Sequence, residues 1–153
     1  MKDDDAFRPR INHVAISVKA SLMDAAGRTA LVDFFSEVFG WTEGDNSTEK
    51  GNPLILYTGA LRQFLYLLPA EEHFLVTAPL DHFGMEVSSP GELVAILERA
   101  KEYQRKDDRV RIIDIGTMTT HGPTDDYTLT NAYVGFLLPL MIELQHIERQ
   151  PRP

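Results

Sequence analysis

No cysteine occurs in the 153 residues of the chain. That removes disulfides, thiol nucleophiles and thiolate metal sites, and leaves His, Asp and Glu as the side chains able to hold a metal ion. A structural zinc finger is excluded with them. No apolar run approaches the roughly 18 residues that a membrane-spanning helix needs. The start, MKDDDAFRPR, is acidic where a signal peptide is basic and then apolar, so a cytoplasmic protein without membrane contact is expected. Positive charge is also scarce: 15 Lys and Arg stand against 23 Asp and Glu, a net charge of -8. Such a chain repels phosphate backbones and anionic lipid, and nucleic acid is not an expected partner. What the sequence does have is 43% hydrophobic residues, enough to bury a core in one domain of this length.

Those apolar residues fall into a pattern that occurs twice. Residues 11–18 (INHVAISV) alternate as a strand, with His13, Ala15 and Ser17 on one face and Val14, Ile16 and Val18 on the other. In residues 28–40, Leu31, Phe34, Phe35 and Val38 recur at helical spacing before Gly40, a natural stop. Residues 41–45, 53–58 and 63–68 read as three strands, divided by turn-rich segments at 44–52 and 59–62. After a polar connector, LDHFGMEV repeats the opening, with His82, Gly84 and Glu86 sharing a face. A helix follows from Pro90 through GELVAILERAKEY. Strands are then expected at 109–115, 127–136 and 140–147, with a polar loop over 116–126 and a loose tail over 149–153. The reading is α+β: two βαβββ modules, one over about residues 11–69 and the other over about 80–148, in a single domain.

Three polar residues stand out in this frame. His13 and His82 begin matching strands, each followed two residues later by a small residue on the same face. Glu143, between Met141 and Gln145 on one face of the last strand, points inward. A carboxylate there needs a partner, either a basic side chain or a cation. Two imidazoles and one carboxylate make a facial metal triad that leaves coordination positions open for a substrate with two adjacent oxygens. His121, in the expected 116–126 loop, is a candidate acid or base reaching over the site. Phe34, Phe35, Phe39 and Trp41 read as core.

The duplicated βαβββ, carried by INHVAISV, FFSEVFGW, DHFGMEV and MIELQHI, resembles the vicinal oxygen chelate superfamily over about residues 11–148. That superfamily includes glyoxalase I, methylmalonyl-CoA epimerase, extradiol dioxygenases, fosfomycin-resistance transferases and bleomycin-resistance proteins. The resemblance implies an eight-stranded, partly closed cup with its helices outside. Ligands would come from strands one, four, five and eight, which here match His13, Tyr66, His82 and Glu143. A neutral phenol is a poor ligand for a divalent ion, so Tyr66 is left either as a hydrogen-bond donor to a metal-bound oxygen or as part of the wall of the cup. The remaining set of His13, His82 and Glu143 is similar to that of the extradiol dioxygenases and favours Fe2+, with Mn2+, Zn2+, Ni2+ and Co2+ also compatible. By the same analogy Tyr133 takes a hydrogen-bonding role and the chain a homodimeric state.

Two functions are therefore expected to compete. One is a glyoxalase-type lyase or isomerase, or a ring-cleaving dioxygenase. Its divalent ion accepts two substrate oxygens and stabilises an enediolate, or activates dioxygen beside a catecholate. The other is a metal-free binding protein of the bleomycin-resistance type for a cationic small molecule, which the acidic balance suits.

Overall fold

The computed structural model describes residues 11–45, 53–59 and 63–152. The acidic start and most of the turns at 44–52 and 59–62 lie outside the described residues. Eight strands and two helices follow in the order β1 (His13–Lys19), α1 (Ala25–Phe39), β2 (Thr42–Glu43), β3 (Leu54–Tyr57), β4 (Phe64–Ala70), β5 (His82–Glu86), α2 (Pro90–Lys106), β6 (Arg111–His121), β7 (Asp125–Gly135) and β8 (Met141–Pro151). A short 3-10 turn, Ala20–Met23, leads into α1.

The strands form two four-stranded sheets, ordered β1-β4-β3-β2 and β5-β8-β7-β6. Shifted by four strands, the two orders are identical, so the duplication read from the sequence is present in the topology. In each half the first and last strands pair in parallel and the rest pair antiparallel. The sheets do not close into a barrel, and the architecture is α+β with two βαβββ modules.

Both helices are bounded by the signals their sequences carry. Asp24 caps α1 by accepting from the Gly27 N–H, and Gly40, at φ 71°, closes it in the left-handed region where a side chain would be strained. Ser89 caps α2 and Pro90 occupies its first turn. The Glu92 carboxylate reaches back to the Ser88 N–H at 2.7 Å, a variant of the reciprocal capping box. These Ser88 bonds hold the Glu92 carboxyl below its ordinary range.

One apolar core joins the two halves. Phe34 of α1 stacks on Phe136 at 4.5 Å and meets the edge of Tyr103 of α2 at 5.2 Å. Phe35 stacks on Trp41 at 4.8 Å, so the aromatic cluster is core, as its helical spacing predicts. Burying the largest of these side chains contributes about 2–3 kcal/mol each. This interior fixes the helices on the outer faces of the sheets and leaves the inner faces for other work.

The principal departure lies in β6. The expected 116–126 loop is strand up to His121, because Thr117 to Thr120 pair with Thr130 to Tyr127 of β7. A register shift between Ile113 and Gly116 marks a bulge where the strand turns outward. Threonine favours extended backbone, but both faces of this stretch are exposed, so no apolar alternation announces it. The residues expected as a tail are paired too: Arg149, Gln150 and Pro151 lie opposite Tyr127, Asp126 and Asp125. Asp125 Oδ2 accepts from Arg149 Nη2 at 2.8 Å, and Asp126 Oδ1 from Arg152 Nε at 2.6 Å. These pairs close the far end of a three-stranded arm.

Candidate functional site

Glu143 is the chemical centre of the second sheet. Its register partners, Gly84 on β5 and Tyr133 on β7, place it on the inner face, where it is only 4% exposed. Oε1 accepts from the Asn131 amide at 2.6 Å and the Tyr133 hydroxyl at 2.9 Å. Oε2 accepts from the Gln145 amide at 2.6 Å. Burial pushes the Glu143 carboxyl up, but the three donors and the nearby His82 outweigh it and hold the group below its ordinary range. Glu143 is therefore an anion at neutral pH. Burial and the same carboxylate raise the Tyr133 phenol, which stays protonated and donating.

His82 completes the group. Its Nδ1 lies 2.7 Å from the Leu80 carbonyl oxygen, which can only accept, so Nδ1 carries a proton. Nε2 then faces Glu143 Oε2 at 3.3 Å. In a neutral imidazole these are two lone-pair atoms aimed at one another, an arrangement that calls for something positive between them. A proton on Nε2 meets the need, and so does a divalent cation. The edge of the His82 ring meets Tyr133 at 5.1 Å between centroids, which fixes the imidazole plane.

The other residues expected at the site are distributed more widely. His13 is exposed on β1, stacked on Phe64 at 4.8 Å, with Nδ1 2.7 Å from the Asn12 side-chain oxygen. It borders a cleft of about 480 Å³ whose opposite wall is β5, including Gly84 and Glu86. Among the described residues, no three His, Asp or Glu side chains gather closely enough to hold a metal ion. One chain thus brings His82 and Glu143 together and leaves His13 across a cleft.

Tyr66 pairs with Ala15 as Glu143 pairs with Gly84, so the two occupy equivalent places in the two halves. Half-buried against Phe64, Tyr66 belongs to the first sheet. His121 lies at the far end of the arm, 3.0 Å from Asp126 and seven residues along from the level of Tyr133. That is about 23 Å of strand, and the structure does not bring His121 to Glu143 within one chain. Glu86 is exposed on the cleft wall, and the His73 side chain is 96% exposed. Asn131 escaped the sequence reading, although it lies opposite Gln145 and two residues from Tyr133 on the same face. A second hollow, about 510 Å³ beside the start of α1, is lined by Met23, Arg28 and Glu43 among others and contains no histidine.

No family model and no curated protein matches the chain. Solved structures do. A mutant of the fosfomycin resistance protein FosX from Listeria monocytogenes superposes with a TM-score of 0.53 and 16% identity, covering 88% of this chain and 90% of that one. Lactoylglutathione lyase from Agrobacterium tumefaciens gives 0.52 and 16%, covering 90% and 93%. A putative glyoxalase family protein from Bacillus anthracis gives 0.51 and 16%, covering 93% and 98%. This is the vicinal oxygen chelate fold. The FosX structure holds Mn(II) and 1S,2S-dihydroxypropylphosphonic acid.

For a vicinal oxygen chelate fold the implied group is a divalent ion, and the donor chemistry on β5 and β8 fits one in part. An imidazole nitrogen and an anionic oxygen 3.3 Å apart match two ligands of a single ion held about 2.0–2.2 Å from each. Leu80 fixes the orientation of the imidazole, and Gln145 that of the carboxylate, as the supporting shell of a metal site does. A third protein ligand is missing from the pair.

Proposed function

We propose that this chain is a metal-dependent protein of glyoxalase or dioxygenase type that acts on a small molecule with two adjacent oxygens. The observation that carries this reading is the approach of His82 Nε2 to Glu143 Oε2, an imidazole nitrogen and a carboxylate oxygen placed as two ligands of one ion would be. His13 supplies the third ligand, from a second copy of the chain in a homodimer whose inner sheet faces meet. The exposed apolar residues of the second inner face, Met118 and Ile147 among them, support such a cover. An ion held there, with Fe2+ favoured, supplies Lewis-acid stabilisation of negative charge on two substrate oxygens. Tyr133 and Asn131 hold Glu143 in its anionic form, and Leu80 keeps His82 in the tautomer that presents Nε2. Among the described residues no helix is long and apolar enough to cross a membrane.

A metal-free binding protein for a cationic small molecule is the second reading. It is favoured by the three neutral donors that already satisfy Glu143, since one proton on His82 then completes the set. Metal analysis of untagged protein, followed by calorimetric titration of metal-loaded and chelator-stripped protein with a 2-hydroxyketone, a 2-oxoacid and a catechol, separates the two. Metal-dependent binding of the chelating ligands is expected. A bulky cationic drug that binds equally well with and without metal, while every chelating ligand fails, leaves the second reading standing.

A further inference from the structure

One row from the half-site, the inner face of the second sheet carries a cation that the half-site does not use. Arg111 pairs in register with Gly135 on β7, and His82 with Met141 on β8. Val134 lies opposite Ile142, so the next position brings Gly135 opposite Met141. Arg111, Gly135, Met141 and His82 therefore form one row across the sheet, beside the row that contains Tyr133 and Glu143. The guanidinium lies back over this row: a Cβ on Gly135 would stand 2.8 Å from Arg111 Nη2 and 2.5 Å from Met141 Sδ. The missing side chain is the lane through which the arginine crosses β7.

Nη2 donates to the Leu138 carbonyl oxygen at 3.1 Å, which steadies the group. Arg105, Arg109, Arg149 and Arg152 each pair with an Asp or Glu. No ion pair to Arg111 forms within 4.0 Å among the described residues, although the chain carries a net charge of -8. A guanidinium remains charged at every working pH and presents a planar fork that matches a carboxylate. At a strand spacing of about 4.8 Å, it stands roughly 7–10 Å from the His82–Glu143 pair.

The geometry points to Arg111 as the anchor for a carboxylate at the far end of the substrate, whose adjacent oxygens reach His82 and Glu143. A single cation in an acidic protein suits a monoanion better than a doubly charged phosphate. The inference rests on His82 and Glu143 being the metal half-site, and the test keeps the two separable. Wild type, Arg111→Gln and Arg111→Lys are titrated calorimetrically with Mn(II), and then, loaded with Mn(II), with catechol and with 3,4-dihydroxybenzoate. Wild type is expected to prefer the carboxylate ligand by about tenfold or more. Arg111→Gln should abolish that preference while Mn(II) and catechol affinities hold, and Arg111→Lys should keep part of it. A preference that survives in Arg111→Gln, or that wild type never shows, overturns the anchor while leaving the half-site intact. Loss of Mn(II) and both ligands together in Arg111→Gln makes the residue a support of the fold and overturns the anchor as well. Wild type that does not bind Mn(II) overturns the half-site itself and the anchor with it.

Discussion

Glu143 concentrates more hydrogen bonding than any neighbour on its face, and its donors are not interchangeable. Replacing Asn131 by Ala leaves Oε1 with the Tyr133 hydroxyl alone in a buried position. Such a loss costs about 1–3 kcal/mol, to be read as a lower urea midpoint at pH 7 with an unchanged denaturant slope. Glu143→Ala should reduce metal affinity far more than Tyr66→Phe does, although the two positions are equivalent by duplication. On the proposed function the first change removes an anionic ligand and the second at most one hydrogen bond. Elemental analysis after identical dialysis compares them, and equal losses would make Tyr66 a ligand.

At the scale of elements, the arm formed by the outer parts of β6, β7 and β8 depends on side chains more than on a core. Its end is closed by Asp125 with Arg149 and Thr124, and by Asp126 with His121 and Arg152. Both carboxyls sit below their ordinary range, chiefly through the Arg149 bond for Asp125 and the His121 bond for Asp126. A depressed carboxyl stabilises the fold above its unfolded pKa, about 3.9, and that contribution is lost as pH falls through the lower folded value. Amide exchange at Asp125 to Thr128 should therefore accelerate below about pH 4, before the strands around Glu143 respond. Exchange that rises uniformly across β7 would show that the arm and the sheet open as one.

The arm also shows where sequence reading meets its limit. Strands and helices with one oily face were legible, because Ile16 and Val18, or Leu93, Ile96, Leu97 and Ala100, repeat at the period of the element they build. Residues 117–121 and 149–151 have no oily face, and their pairing is decided by partners far along the chain. The site divides in the same way. His82 and Glu143 could be recognised from their inward register, and the structure joins them. Asn131 and Arg111 could not, since an amide one strand from Glu143 and a guanidinium two strands away come to the same face only through register across the sheet. Tyr133 was named from family resemblance, and its bond to Glu143 now gives that residue a place in the geometry.

For the whole molecule, the separation of His13 from His82 and Glu143 makes assembly the decisive variable. In a homodimer with sites shared between chains, His13→Ala and His82→Ala protein each lack every complete site. Mixed and refolded one to one, half of the dimers are heterodimers with one intact site and one doubly damaged site. Mn(II) binding should then return to about a quarter of the wild-type sites. No recovery in such a mixture, with dimers verified by sedimentation, places the triad within one chain and requires the cleft between β1 and β5 to close around it.

The pairing of first strand with last in each half also governs the order in which the protein is made. β8 must find β5 across about 60 residues of intervening chain, a closure whose entropic cost falls due before its contacts can return anything. During synthesis the first half can complete β4 against β1 while the second is still emerging from the ribosome. His82 then waits, with the apolar side of β5 uncovered, until β8 is made and delivers Glu143. The His82–Glu143 pair thus forms late in the folding of the second sheet, and a nascent chain stalled before residue 141 would hold β1 and β4 but lack the pair.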